Sequence, residues 1–213
     1  MRKTLILFIL LFAVSASAST AKNPVILILG DSLSAGYGID VDQSWAELLQ
    51  QRLETQGYEH QVVNASISGE TTEGGVERID DAIERFSPSV VVLELGGNDG
   101  LRGFPPSRMK NNLETMITKS KAAGANVALL GIRIPPNYGP RYTRAFEAVF
   151  EDLANEYDLP WIDFFMDGVA LDEDLMLPDG IHPNAKAQPV LLDNAWPVIK
   201  EALQRSPATI AIE

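Results

Sequence analysis

Five short apolar runs recur along this chain, each followed by a segment with helical spacing, and that alternation limits the folds open to it. The runs are VILILG at 25–30, HQVVNA at 60–65, SVVVLELG at 89–96, ANVALLGI at 125–132 and LPWIDF at 159–164. They are rich in Val, Ile and Leu and show little polar alternation, as expected of strands covered on both faces. Helical patterns occupy 44–55, 71–86, 107–124, 141–158 and 184–204. Ser44 stands as a cap for the first, with Glu47 three residues on. The second stops before Pro88, although Gly74 and Gly75 weaken its start. The third closes on Gly124, a good helix-ending residue. Pro189 and Pro197 fall inside the last, which is therefore expected to be kinked or split. Strand and helix in alternation predict an α/β fold, a parallel sheet with helices on both faces. Ligands in such folds bind at the carboxyl ends of the strands.

A length of 213 residues with 46% hydrophobic content suits one domain with a real core. The start is different in kind. MRK is basic, LILFILLFAV is apolar, and SASA supplies small residues at Ala16 and Ala18. This is the pattern of a secretory signal peptide over 1–18, with a single domain over 19–213. The alternative is an uncleaved anchor, because the uncharged stretch continues to Ala21. Cleavage after Ala18 removes Arg2 and Lys3 and no acid, leaving 15 basic against 29 acidic residues, a net charge of −14. Such a surface argues against nucleic acid and anionic lipid as partners. The mature chain is expected to be an exported monomer, periplasmic or secreted, with no stable membrane anchor. The chain has no cysteine, which excludes disulfides, thiolate chemistry and Cys-based zinc sites. The tail from Ser206 reads as surface.

The first strand runs into GDSLSAGYG, which puts Ser32 at a strand's carboxyl end between glycines. A nucleophilic serine needs a base and an oxyanion site. The chain has two histidines. His60, in GYEHQVV, falls at the amino end of the second strand, the edge opposite Ser32. His182, in PDGIHPN, falls in a loop before the last helix, with Asp179 three residues earlier. A carboxylate there can accept from Nδ1 and leave Nε2 free toward the serine. The same letters also describe a plain turn with Pro183 opening a helix. GGND at 96–99 places Asn98 in a loop after the third strand, where its amide can donate to an oxyanion. SISGET at 66–71 places Gly69 after the second strand, where its N–H can approach a ligand closely. The N–H of Ser32, at a helix start, is the third donor. Asp31 reads as a brace for the turn, and Ser34 as a false candidate one step past it. Each motif alone is matched by an ordinary glycine turn; together, in this order, they supply nucleophile, base, base-orienter and oxyanion donors.

The set resembles the SGNH hydrolases, also called the GDSL esterase/lipase family. GDSL at 30–33 matches that family's first block, Gly69 the second, Asn98 in GGND the third, and DGIHP at 179–183 the fifth. The resemblance spans the mature chain in motif order. It implies a three-layer α/β/α, flavodoxin-like fold with about five parallel strands. It implies a catalytic set of Ser32, Asp179 and His182, and oxyanion donors at Ser32, Gly69 and Asn98. No metal or cofactor is implied. The longer stretches GDSLSAGYGI, NASISGETT, ELGGNDGLRG and DGIHPNAKAQP resemble small exported bacterial members that act on acyl thioesters, lysophospholipids and simple aryl or alkyl esters.

The acyl chain is expected to lie near LRGFPP at 101–106 and IPPNYG at 134–139, against Phe104, Ile134, Pro135 and Tyr138. Ordinary loop packing explains any one of these residues equally well. The loop SGETTEGG at 68–75 is expected to move on substrate binding. Carbohydrate O-deacetylation is the alternative within the family. A phosphate site at GDSLSAGYG lacks the G-x-x-x-x-G-K-[ST] and G-x-G-x-x-G patterns. The acids of DEDLMLPDG at 172–180 lack a calcium-loop spacing and read as solvated surface.

Overall fold

The computed structural model describes residues 23–206. The leader expected at 1–18 and the tail from 207 onward lie outside the described residues. In chain order the elements are β1 (Val25–Gly30), α1 (Ser32–Ala35), α2 (Trp45–Thr55), β2 (Gln61–Asn64), α3 (Thr72–Phe86), β3 (Val90–Glu94), α4 (Gly97–Leu101), α5 (Pro106–Ala122), β4 (Asn126–Leu130), α6 (Pro140–Tyr157), β5 (Trp161–Ile162) and α7 (Gln188–Gln204). Every expected apolar run contains one strand. The strands form one parallel sheet in the order β2-β1-β3-β4-β5.

The period of two in β1 assigns its side chains to two cores. Ile26 and Ile28 join Trp45, Leu49 and Leu53 of α2 and Leu191 and Ile199 of α7 on one face. Leu27 and Leu29 join Ile79 of α3, Leu113 of α5 and Phe150 of α6 on the other. The result is three layers, helix over sheet over helix. β1 lies between β2 and β3, and the chain leaves β1 for β2 through α2 on one face but leaves β3 for β4 through α5 on the other. The connections therefore diverge at the carboxyl ends of β1 and β3 and leave a crevice there, the place where such sheets bind ligands.

Two local expectations, those for β2 and for GGND, need correction. β2 is a half-exposed edge strand, not one covered on both faces. α3 begins at Thr72 with both glycines inside it, and Gly75 is required there because a Cβ would sit 2.7 Å from Leu95 and from Met116. GGND is not a loop: Gly97 opens the one-turn helix α4, with Asn98 inside it. The last helical region is split just before Pro189 but not at Pro197. A separate 3-10 turn covers Ala185–Ala187, and α7 then runs unbroken through Pro197. The lost N–H bond is outweighed by six buried apolar side chains, Leu191 to Ala202, packed along the sheet. Among the described residues, no helix is long and apolar enough to cross a membrane.

The β4–β5 seam depends on Gly131, whose N–H donates to the Ile162 carbonyl at 2.7 Å. A Cβ there would lie 2.4 Å from the Asp163 carbonyl and 2.5 Å from that of Ile162, both backbone. Gly131→Ala is expected to destabilise the protein by about 1–3 kcal/mol, read from the midpoint of chemical denaturation.

Candidate active site

The turn that presents Ser32 is built from its neighbours. β1 ends at Gly30, where a Cβ would meet Glu94 Oε2 at 2.7 Å and Ser34 at 2.8 Å. Asp31 caps α1, its Oδ1 accepting the Leu33 N–H at 3.0 Å. The helix lasts one turn and stops at Gly36 in the left-handed region, whose N–H returns to the Ser32 carbonyl. Ser32 thus occupies the first helical position, where the backbone N–H has no partner within the helix. Ser34 is fully buried, and its hydroxyl donates to Glu94 Oε2 at 2.7 Å. It does not face the crevice.

His182 reaches Ser32 from the loop between β5 and α7. That loop is pinned on itself: the Leu177 N–H donates to the His182 carbonyl at 2.7 Å and the Asn184 N–H to Leu175 at 2.8 Å. Asp179 organises its tip. Its Oδ1 accepts the N–H groups of Ile181 at 2.9 Å and His182 at 3.0 Å, and its Oδ2 lies 2.7 Å from His182 Nδ1. The His182 N–H, then its imidazole, then the Ile181 N–H hold the Asp179 carboxyl down at about 2. A carboxylate only accepts, so Nδ1 carries the proton. The lone pair of Nε2 then faces the Ser32 hydroxyl, 2.9 Å away. The Tyr37 ring lies over the imidazole, centroids 4.3 Å apart. His60 sits just ahead of β2, at the other edge of the sheet, and burial lowers its pKa.

Asn98 and Gly69 border the same crevice. Asn98 Nδ2 donates to Asp31 Oδ2 at 3.1 Å, which leaves its second amide hydrogen free for another acceptor. Gly69 follows β2 with φ +80° in open space, a conformation that suits glycine. Its loop is held to β1 by the Ile67 N–H donating to the Gly30 carbonyl at 3.0 Å.

Beneath the crevice lie two carboxyl groups that sequence reasoning only half found. Asp31 had been expected as a brace; Glu94 had not been singled out. Its signal was an acid ending the otherwise apolar run of β3. Glu94 is fully buried, with Oε2 accepting from the Asp31 N–H at 3.3 Å and the Ser34 hydroxyl. Burial, reinforced by the Asp31 charge, raises its pKa well above the usual carboxyl range. Burial raises Asp31 to about 6, against the opposing pull of Leu33 N–H and Asn98.

The four residues expected along the acyl chain divide. Tyr138 donates its hydroxyl to the Leu101 carbonyl at 2.7 Å, and Tyr142 to that of Phe104 at 2.6 Å, so the two loops are tied together. Phe104 is half-buried and Pro135 exposed. Ile134 departs from expectation. It is 7% exposed and packs in the core with Phe146, against Gly100, so it supports the loop from below. A shallow hollow of about 410 Å³ beside Tyr138 and Pro106 opens on α6. Only the first half of the 68–75 stretch is a loop, since α3 begins at Thr72, whose N–H and hydroxyl are both held by Asp99 at 2.8 and 2.6 Å. Among the described residues, no group of three or more His, Asp or Glu side chains is arranged to hold a metal ion.

The chain matches the GDSL-like Lipase/Acylhydrolase family over residues 28–188. It is 48% identical over 183 residues to the esterase TesA of Pseudomonas aeruginosa, covering 86% of this chain and 91% of that protein. It is 44% identical over 183 residues to the thioesterase 1/protease 1/lysophospholipase L1 of Escherichia coli K12, covering 86% of each. A crystal structure of TesA superposes with a TM-score of 0.82 at 48% identity, covering 84% of this chain and 99% of that one.

The Asp31–Glu94 pair has a consequence for stability. An acid whose folded pKa lies above its unfolded value binds more protons folded than unfolded, so stability is full at low pH and is lost as pH rises through the folded pKa. For Asp31 that window runs from about 4 to about 6. Stability measured by urea denaturation is expected to fall between about pH 4 and pH 6, at up to about 1.4 kcal/mol per pH unit for one linked proton. Glu94→Gln, which removes the second buried acid with a raised pKa, is expected to flatten that slope.

Proposed function

The chain belongs to the GDSL-like Lipase/Acylhydrolase family and is a serine ester hydrolase, and from that premise we propose that Ser32, His182 and Asp179 do its chemistry. The observation that carries this reading is the unbroken relay from Ser32 Oγ through His182 to Asp179, at 2.9 and 2.7 Å. Nε2 takes the hydroxyl proton as Oγ attacks the acyl carbonyl. Asp179 holds the imidazole in the required tautomer and stabilises the imidazolium. The N–H groups of Ser32 and Gly69 and the Asn98 amide stabilise the oxyanion. His182 then protonates the leaving alcohol or thiol, and water repeats the sequence on the acyl-enzyme to release the acid.

The substrate class is acyl esters, acyl thioesters and lysophospholipids. The names of the two relatives, an esterase and a thioesterase/lysophospholipase, support that range. The loops joined by Tyr138 and Tyr142 offer the acyl chain an apolar surface through Phe104, Pro135 and Tyr138. With the leader at 1–18 removed, the enzyme works as an exported monomer, periplasmic or secreted.

Hydrolysis of p-nitrophenyl esters from acetyl to palmitoyl tests this. Activity is expected to peak at medium or long chains and to be lost in Ser32→Ala. Asn98→Ala is expected to lower kcat by roughly 10²–10³. Asp179→Asn is expected to lower kcat by about 10⁴, with little change in KM, because the imidazole loses its tautomer. A peak at acetyl would shift the assignment to O-deacetylation, and full activity in Ser32→Ala would remove Ser32 as the nucleophile.

A further inference from the structure

Gly69 raises a problem that its own side chain cannot solve. Glycine is the most permissive residue, and nothing lies within 4 Å of where its Cβ would be. The direction of its N–H must be imposed from outside. Inside the loop there is one tie, the Glu70 N–H donating to the Ile67 carbonyl at 3.1 Å. From across the crevice there is another: Arg102 donates a guanidinium N–H to the Gly69 carbonyl at 3.0 Å.

Arg102 is well placed for this. It caps α4, with its backbone N–H bonded to the Asn98 carbonyl at 3.2 Å. The residue that grips Gly69 is therefore one helical turn from Asn98. The same helix also grips the far end of the loop. Asp99 is 1% exposed, and its carboxylate takes both the N–H and the hydroxyl of Thr72. Asn112 adds a hydrogen bond to the Thr72 hydroxyl at 3.0 Å. One short helix thus carries Asn98 and clamps the Gly69 segment from inside and outside.

The Arg102 contact is not a by-product of charge attraction. Two glutamates lie close in the same segment, yet each is matched elsewhere: Glu70 with Arg78, and Glu73 with Arg108. Among the described residues Arg102 forms no ion pair. Its guanidinium donates to a neutral carbonyl, where the fixed fork sets direction as well as distance.

We infer that Arg102 is a positioning residue for the hydrolytic reaction, holding the Gly69 peptide at a set orientation to Asn98 so that both donors meet the same oxyanion. The inference rests on the oxyanion assignment given above. It assigns Arg102 no contact with substrate. A donor misplaced by about 1 Å costs up to 10²-fold, so release of the strap must appear in turnover.

The test is to measure kcat and KM of Arg102→Ala and Asn98→Ala on one neutral p-nitrophenyl ester, with thermal unfolding of each. Arg102 is exposed, so its melting temperature is expected to stay within about 2 °C of the wild type. Its kcat is expected to fall about 10-fold, less than the loss in Asn98→Ala, with KM changed less than about twofold. A wild-type kcat in Arg102→Ala, beside the full loss in Asn98→Ala, overturns the positioning role and leaves the oxyanion assignment standing. A raised KM at unchanged kcat also overturns it, because that is a substrate contact. So does a fall in activity matched by a large fall in melting temperature. A wild-type kcat in Asn98→Ala overturns the oxyanion assignment itself, and the role of Arg102 with it.

Discussion

Everything at the carboxyl edge of this sheet depends on the buried carboxylate of Asp31. It has two oxygens and spends them on two different elements. Oδ1 holds the first turn after β1, which carries Ser32, and Oδ2 holds Asn98 on the helix after β3. The divergence of connections between β1 and β3 creates a crevice, but a crevice alone aligns nothing. Asp31 converts two strand ends into one rigid unit. The cost is an acid removed from water, visible in its raised pKa. Folded proteins tolerate such a group only where hydrogen bonds compensate it, and the turn proposed to carry the nucleophile needs that rigidity.

The histidine is held by a different physical logic. Asp179 is exposed and costs little to ionise, and its carboxylate is satisfied by groups within three residues. The loop therefore carries its own geometry and needs only to be docked. Docking comes from Gln188, whose side-chain amide donates to the Asn184 carbonyl at 3.2 Å and accepts the Trp45 N–H of α2 at 3.0 Å. The site joins a buried half, fixed by long-range bonds across the sheet, to an exposed half, fixed by local ones.

This difference explains what the sequence disclosed. The His182 loop was legible because Asp179, Gly180 and Pro183 act on neighbours a few residues away. The central strands β1, β3 and β4 were legible because a fully covered strand must be apolar throughout. α4 was not legible: Gly96 and Gly97 argue against helix by propensity, and the bonds from Asp99 to Thr72 that hold the helix in place span 27 residues. Ile134 was misjudged for the same reason. Between Arg133 and Pro135 it reads as loop surface, but Gly100 leaves a space that it fills, with a Cβ there falling 2.6 Å from it. Glu94 ends an apolar run and reads as its boundary until Gly30 is seen to make room for its carboxyl.

A carboxylate beneath the proposed oxyanion site looks like a poor choice, since it opposes the charge that would develop there. Two features reduce the conflict. Glu94 lies against Asp31, and burial with the neighbouring charge pushes its pKa well above the usual carboxyl range, which disfavours a second negative charge beside Asp31. The proposed reaction also creates a cation. His182 pulls the Asp31 pKa downward through space, which means that Asp31 and the imidazolium attract each other. The charge that is unfavourable to the oxyanion is favourable to its counter-ion, and both appear in the same transition state. Asp179 does the same work from the solvent side, in higher dielectric, where each charge counts for less. Asp31 therefore acts on both ends of the developing ion pair, and its two hydrogen bonds decide which end it faces with which oxygen.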